Sequence, residues 1–150
     1  PSREQRQLAD WLLEQGVTHI IGSHPHVIQP MELRTDSITG AQHAVVYSLG
    51  NFISNMSKVN TDGGLIFTLE LERDTTTSTS TQVRVQRCEY NLVWTARPNL
   101  TKEKNYVLYP TDSTSISKLP EAARNHLNIF VKNSRKLLQQ HNVGIKENKK

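Results

Sequence analysis

Residues 20–27 of this chain read Ile20-Ile21-Gly22-Ser23-His24-Pro25-His26-Val27, so an apolar run leads into two histidines that one proline separates. Proline fixes its own φ near about −65° and favours extended backbone in the preceding residue, which predicts a defined relative orientation of the imidazoles. An apolar run ending in glycine is typical of a buried strand, and sites in open α/β sheets lie at the carboxyl ends of strands. His24 and His26 are therefore candidate metal ligands, with a surface or hydrogen-bonded pair as the alternative.

The composition is that of one globular unit. The chain has 150 residues, of which 35% are hydrophobic and 21% charged, and this length supports one domain with its own core. No apolar stretch approaches the roughly 20 residues of a membrane span. Because the chain begins at Pro1 without a signal-peptide pattern, we expect its N-terminus to be a processing site or an internal boundary of a longer protein. The single cysteine, Cys88, excludes an internal disulfide and a cysteine-rich zinc site, and we expect it to pack within a strand.

Positive charge is concentrated towards the C-terminus. Residues 118–150 contain eight Lys or Arg and two Glu, in a chain whose net charge is +4. These charges are not interleaved with a series of aromatic side chains, so we expect no nucleic-acid partner. We predict a solvated basic tail whose last segment, residues 146–150, is frayed. Contact with an anionic polymer or a lipid surface is the alternative.

The N-terminal third predicts a helix, a strand and a hairpin. Ser2 and Gln5 fit a capping box that begins a helix, and Gly16 supplies its end. Residues 17–22 predict a buried strand, in which His19 is expected to be a hydrogen-bonded structural residue. Two extended segments, residues 27–33 and 43–49, flank a loop and predict a β-hairpin with the two histidines at its base.

Two further hairpin strands and a helix are predicted after Gly50. Apolar and polar residues alternate over residues 65–72, a Thr/Ser run at 75–81 predicts an exposed loop, and residues 82–94 return as the partner strand with a bulge. The next segment lacks firm periodicity, apart from a short strand at residues 106–109. Apolar positions spaced by three or four then predict an amphipathic helix that starts after Pro120 and that Gly144 ends.

Two neighbouring motifs carry a family resemblance. They are Gly22-Ser23-His24-Pro25-His26-Val27-Ile28-Gln29-Pro30-Met31-Glu32 and Val45-Val46-Tyr47-Ser48-Leu49-Gly50-Asn51-Phe52-Ile53. In this order, and followed by Gly63-Gly64-Leu65-Ile66-Phe67, they resemble the last signature of the CapA family of bacterial capsule and poly-γ-glutamate synthesis proteins. The resemblance covers roughly residues 1–72. That family is in turn similar to the calcineurin-like metallophosphoesterases, whose α/β/β/α sandwich holds two metal ions.

The resemblance implies an α/β fold and a division of the chain. The chain would be the C-terminal portion of a metallophosphoesterase-like α/β/β/α sandwich, with a β-hairpin-rich middle and a C-terminal helix. Residues 1–99 would form the C-terminal part of the CapA-like domain. Residues 100–150 would form an irregular segment, an amphipathic helix and a basic tail.

The resemblance also implies a partial metal site. His24 and His26 match the Gly-x-His-x-His element whose histidines bind divalent Mn, Zn or Fe, as a dinuclear centre in the full-length protein. Ser23 stands where many relatives have a further histidine. Glu32 either orients a histidine or is a solvated strand residue, and Asn51 either contacts backbone or substrate or has a structural role next to the turn at Gly50. The Asp-x-His, Gly-Asp-x-x-Asp and Gly-Asn-His elements that supply the other ligands in such folds are absent from this chain, and no catalytic residue is assigned.

Two functional classes remain open on these grounds. In the first, the intact protein is a metal-dependent hydrolase or transferase of cell-envelope polymer biosynthesis that acts on a phosphoester or an anionic, amide-linked polymer. In the second, it is a non-catalytic scaffold or polymer-binding component of the same assembly. We expect the isolated chain to lack phosphoesterase activity, to require the N-terminal half of the same domain as a partner, and to dimerise through an exposed sheet edge. The implied location is the cell envelope, with membrane association of the full-length protein.

Overall fold

The structure of the chain, a computed structural model, describes residues 1–73 and 83–148. The helices are α1 (Arg3–Glu14), α2 (Pro98–Thr101) and α3 (Glu121–His141), with a 3-10 helix at Thr114–Lys118. The strands are β1 (Ile20–Ile21), β2 (Met31–Thr35), β3 (Gln42–Val46), β4 (Gly63–Arg73), β5 (Val83–Ala96), β6 (Val107–Pro110) and β7 (Lys146–Glu147). The loop predicted at residues 75–81 lies outside the described residues.

The strands form two mixed sheets. In the first sheet the order is β1-β3-β2, with β1 parallel and β2 antiparallel to β3. In the second sheet β5 pairs antiparallel with β4 and β6 and parallel with β7. The predicted α/β class is therefore confirmed, together with the two hairpins β2-β3 and β4-β5 and the long C-terminal helix.

Helix α1 has the ends that its sequence predicts. The Gln5 backbone N–H donates to the Ser2 hydroxyl (3.2 Å), and the Ser2 backbone N–H donates to the Gln5 side-chain oxygen (2.7 Å). At the other end, the N–H groups of Gly16 and Val17 donate to the carbonyls of Leu13 and Leu12. These bonds satisfy backbone groups that the helix itself leaves without partners.

The strand predicted at residues 17–22 is shorter and more exposed than expected. Only Ile20–Ile21 pairs with β3, and Ile21 is 51% exposed. The prediction of a buried strand is wrong because β1 has one hydrogen-bonded neighbour among the described strands, so its other edge is open. The structural role predicted for His19 is confirmed, since its Nδ1 accepts from the Ala44 N–H at 3.1 Å.

One main core joins the two sheets and α3. Met31 and Val46 of the first sheet, Leu65 and Trp94 of the second, and Phe130 of α3 are all buried in the same cluster. On the opposite face of the first sheet, α1 forms a smaller cluster, whose buried residues are Ala9, Val45 and Tyr47. The main core takes residues from both sides of the predicted boundary at residue 99, and that boundary stays a prediction.

The C-terminal segment is more ordered than predicted. Residues 146–147 form β7, the Arg135 guanidinium donates to both carboxylate oxygens of Glu147 (2.8 and 2.9 Å), and the Asn148 N–H donates to the Tyr90 carbonyl (2.8 Å). The prediction of a frayed end is thus wrong for residues 146–148. The charge pattern could not reveal this docking, because the docking depends on the edge of β5 and on Arg135 of α3.

The second hairpin contains the predicted bulge. Glu70 lies opposite Arg87 while Leu71 lies opposite Val85, so Gln86 is the extra residue on β5. Cys88 lies half-buried in β5, as predicted, and burial raises the pKa of its thiol to about 11. Within the described residues, no helix combines the length and the apolar character that a membrane crossing requires.

Candidate metal centre

Gly22 places the histidine loop, residues 22–27, beside the segment that follows β3. The Gly22 N–H donates to the Val46 carbonyl (2.6 Å), and the Leu49 N–H donates to the Gly22 carbonyl (3.2 Å). A Cβ atom at residue 22 would collide with the carbonyl oxygens of Val46 and Tyr47. Only glycine fits this close approach of two backbones, so this residue type is required at the start of the loop.

Both histidines of the loop have positive φ values, 103° at His24 and 62° at His26. The extended backbone predicted for His24 from the following proline is therefore wrong. The reason is tertiary: the chain is held to one neighbouring segment at Gly22 and again at Gln29, whose N–H donates to the Ser48 carbonyl at 3.2 Å. A short loop between two such anchors overrides local preference, at a cost of about 1–3 kcal/mol for each strained residue.

The two imidazoles lie close together and are exposed. Their ring centroids are 6.1 Å apart and their planes are inclined by 45°. Two imidazoles on one tetrahedral ion would have centroids about 5 Å apart, given metal–nitrogen distances of about 2.0–2.1 Å. A small side-chain rotation of His24 or His26 closes this difference for a shared ion, and the observed spacing also leaves room for one histidine on each of two ions.

A series of hydrogen bonds fixes the tautomer of neutral His26. Its Nδ1 lies 2.8 Å from the Asn51 Oδ1, and the Asn51 Nδ2 donates to the Thr61 carbonyl at 2.8 Å. A carbonyl can only accept, so the Asn51 amide nitrogen must face Thr61 and its oxygen must face His26. The proton of neutral His26 therefore sits on Nδ1. This leaves the lone pair of Nε2 available, which is the form of histidine that binds divalent metal ions.

Asn51 is held from several sides. It is 6% exposed, its backbone N–H donates to the Gly63 carbonyl (2.9 Å), and it follows Gly50, whose φ of 78° confirms the predicted turn. The sequence left open whether Asn51 contacts other groups or serves only the turn. In the structure it does both, since the turn presents its amide to His26.

Glu32 lies in an arginine network that joins α1 to the first sheet. Its carboxylate accepts from Arg6 (3.0 Å) and Arg34 (2.7 Å), and Arg34 also donates to Asp10 (2.6 Å) and to the Tyr47 hydroxyl (2.9 Å). Among the described residues, none of its hydrogen bonds reaches a histidine. Glu32 was expected either to orient a histidine or to be a solvated strand residue. Its observed arginine partners agree with neither expectation and give it a role in docking α1.

The histidine pair could supply part of a ligand set. Ser23 is exposed and lines the groove between α1 and β1. Within residues 1–73 and 83–148, no group of three or more His, Cys, Asp or Glu side chains is arranged to hold a metal ion. The residues present therefore fit a divalent ion through two nitrogen donors, one of them with a fixed tautomer, and the remaining ligands have to be water or groups from outside the described residues.

The roles of two residues near the site, Thr61 and Asp62, were not predicted from the sequence. The Thr61 carbonyl orients Asn51, and backbone atoms carry no sequence signal for such a role. The next residue, Asp62, is buried and accepts from the Trp94 indole N–H at 3.0 Å, which ties the end of the 52–60 loop to β5. Asp62 is one of the few acidic residues near the motif in the sequence, but its contact could not be predicted because its partner lies 32 residues away.

Part of the chain is similar to known proteins. A family model described as bacterial capsule synthesis protein PGA_cap matches residues 1–56, a range that includes the histidine loop and Asn51. The PGA biosynthesis protein CapA of Bacillus subtilis (strain 168) is 32% identical over 76 residues, which are 51% of this chain and 18% of that protein. The match thus spans less than a fifth of the relative's length. No solved structure matches the chain significantly.

Proposed function

We propose, from the similarity of residues 1–56 to the bacterial capsule synthesis family, that the protein acts in the biosynthesis of a capsule or poly-γ-glutamate polymer, with His24 and His26 as metal ligands. One observation carries the metal proposal. The hydrogen bonds from His26 through Asn51 to the Thr61 carbonyl put the proton of the neutral imidazole on Nδ1, which leaves the Nε2 lone pair available to a metal ion.

Each residue of the site has a distinct part in this proposal. The backbone bonds of Gly22 anchor the loop, and Asn51 orients His26 and keeps its tautomer constant. His24 supplies the second nitrogen donor from the adjacent turn. A divalent Mn, Zn or Fe ion bound there would lower the pKa of a coordinated water and polarise a phosphoryl or carbonyl oxygen, which suits hydrolysis or transfer at a phosphoester or an amide.

The intact protein would complete the site with carboxylates from the N-terminal half of the same domain. Two divalent ions carry a charge that histidines alone do not offset, and carboxylates are the usual counter-charges in such centres. This proposal includes a dinuclear centre, a cell-envelope location and membrane association for the full-length protein. For the isolated chain we expect weak Zn²⁺ or Mn²⁺ binding, because two ligands are half of a complete set.

The first test is metal binding by isothermal titration of Zn²⁺ and Mn²⁺ into the purified chain. His24→Ala and His26→Ala should each reduce the affinity strongly. His141→Ala is the matched control, because His141 is also exposed but ends α3. Equal affinity in the wild type and in both loop variants would refute the proposal.

The second test concerns catalysis. The isolated chain should not hydrolyse p-nitrophenyl phosphate, because its described residues bring no third His, Cys, Asp or Glu to the histidine pair. Turnover that disappears in His24→Ala would contradict this expectation. That no third His, Cys, Asp or Glu of the described residues joins the histidine pair also favours the scaffold as the second candidate function. The decisive measurement uses a form of the protein as long as the Bacillus subtilis relative. If this form binds polymer and metal without turnover, the scaffold is established. Metal-dependent turnover would establish the enzyme.

A further inference from the structure

The connecting segment, residues 15–19, joins α1 to β1 and is exposed as far as Thr18. Among the described residues, two hydrogen bonds join this segment to β3, and an imidazole takes part in each. The His43 Nδ1 donates to the Thr18 carbonyl at 3.0 Å, and the His19 Nδ1 accepts from the Ala44 N–H at 3.1 Å. The segment is therefore attached to the first sheet through two titratable side chains.

The two imidazoles take opposite tautomers. A carbonyl oxygen only accepts, so neutral His43 carries its proton on Nδ1. A backbone N–H only donates, so His19 keeps the lone pair of Nδ1 and carries its proton on Nε2. Protonation affects the two bonds differently, because an imidazolium has two N–H groups and no acceptor. A charged His43 still donates to Thr18, whereas a charged His19 loses its bond with Ala44.

Ala44 makes the loss of this bond matter for the backbone. The residue is 0% exposed, and buried backbone N–H groups are almost always paired. After protonation of His19, the Ala44 N–H needs water as its acceptor, and water reaches it only when the connecting segment moves away from β3. The segment is free to do so without disturbing the core, since Gly16 and Val17 donate to carbonyls of α1 and not to the sheet.

The charged groups around His19 keep it neutral while the segment is attached. Burial, and then the charge of His43 on β3, lower the pKa of His19. Farther along the hairpin, Arg34 of β2 lies opposite His43, and hydrogen bonds within its own loop and, to a smaller extent, His43 lower the pKa of Asp36. The last residue of α1, Glu14, is exposed, and no carboxylate of the described residues shifts the pKa of His19. His19 therefore has no anionic partner that would stabilise its charged form in place.

We propose that protonation of His19 detaches the connecting segment from β3 while the rest of the fold stays closed, so that the link between α1 and the first sheet is sensitive to pH. The segment leads through the two residues of β1 to Gly22 and the histidine loop. Detachment therefore removes an attachment on the N-terminal side of that loop. Neither a metal ion nor the titration of His24 or His26 takes part in this step.

The test is hydrogen exchange of the Ala44 amide, measured by NMR on the purified 150-residue chain in the presence of EDTA. In the detached form His19 has its ordinary pKa of about 6.5, and one proton is taken up on detachment. The protection factor of Ala44, which corrects for the intrinsic pH dependence of exchange, should therefore fall about tenfold between pH 7.5 and pH 5.5. The Leu33 N–H, which donates to the Val143 carbonyl at 2.8 Å, is the internal reference and should be better protected than Ala44 at both pH values.

Three variants separate the contributions of the histidines. His19→Gln should have the same Ala44 protection factor at both pH values, because a carboxamide oxygen accepts from the N–H in acid and in base. His43→Gln should keep the fall, since its amide nitrogen still donates to Thr18. His141→Gln is the matched control on an exposed histidine at the end of α3, and it should behave as the wild type.

Three results would overturn the proposal. They are a wild-type protection factor of Ala44 that does not change with pH, a tenfold fall that persists in His19→Gln, and equal protection of Ala44 and Leu33, which would mean that the whole chain opens at once. If His19→Gln does not fold, the imidazole ¹⁵N shifts of the wild type decide. His19 should have an unprotonated Nδ1 at pH 7.5, and its titration should move the Ala44 amide signal with the same midpoint. Titration of His19 without a change at Ala44 would refute the detachment.

Discussion

Asn51 connects two groups that lie far apart in the sequence. Its oxygen accepts from His26 and its nitrogen donates to Thr61, in a site where the side chain is 6% exposed. Asn51→Ala would leave the Thr61 carbonyl without this partner and release the imidazole. We expect a loss of about 1–3 kcal/mol in the free energy of unfolding and about a 10–100-fold loss of zinc affinity.

Urea unfolding and zinc titration measure the two effects of Asn51→Ala. Asn128→Ala is the control, since Asn128 is exposed on α3. A folded Asn51→Ala variant with unchanged zinc affinity would contradict the positioning role of this amide.

The pKa of His19 makes the stability of the fold depend on pH. Burial, and then the nearby His43, lower the pKa of His19 below its usual value of about 6.5. Because the folded-state pKa is the lower one, the unfolded chain binds more protons as the pH falls through about 6.5, and the stability falls with it. This contribution is fully present above the unfolded-state pKa and is lost on acidification.

We expect His19→Gln to reduce the loss of stability between pH 7.5 and pH 5.5. The measurement is urea unfolding at both pH values, with His141→Gln as the control on an exposed histidine. If the pH dependence is the same in wild type and His19→Gln, the assignment to His19 is wrong.

Among the secondary-structure elements, α3 contributes most visibly to the main core. Phe130 is 1% exposed, and its ring covers the backbone of Gly63, where a Cβ atom would approach the ring to 2.5 Å. Phe130→Ala should lower the free energy of unfolding by about 3–5 kcal/mol, a large part of the roughly 5–15 kcal/mol typical of a domain. Phe130→Leu should cost less than about 1.5 kcal/mol and keeps the test usable if the alanine variant does not fold.

Ile129→Ala provides the comparison for α3, because Ile129 is 51% exposed on the same helix. It should change the stability by no more than about 0.5 kcal/mol. Urea unfolding measures all three variants. Similar losses at residues 129 and 130 would contradict the packing of α3 described above.

The elements differ in how well their sequences predict them. The start of α1 and the apolar face of α3 follow from contacts between residues three or four apart, and both predictions are confirmed. Strand β7 was not predicted, because its two residues have no sequence pattern of their own. They are held in place by β5 and Arg135. The short helix α2 and the 3-10 helix were also not predicted, because their segment has no periodic pattern.

For the whole molecule, three exposed apolar side chains bear on self-association. Leu8 and Trp11 of α1 are 56% and 54% exposed, and Ile21 on the open edge of β1 is 51% exposed. Exposed apolar surface beside an unpaired strand edge favours association. We therefore expect the isolated chain to dimerise with increasing concentration, which stays a prediction.

Gel filtration over a range of concentrations tests the dimer. Trp11→Lys should shift the chain towards the monomer, whereas Ile38→Lys, at a 93% exposed position in the loop between β2 and β3, should not. Elution as a monomer at every concentration would contradict the expectation.

Local signals in the chain were sufficient for the start of α1, the hairpins and the α/β class, and a continuous motif made His24, His26 and Asn51 candidates, because each of these depends on near neighbours in the sequence. Folding in three dimensions was needed for the positive φ of the histidines, the tautomer of His26, the arginine partners of Glu32 and the attachment of residues 15–19 to β3. These features depend on backbone oxygens and side chains tens of residues away, which no short stretch of sequence specifies and which meet only when the sheets and α3 pack around one core.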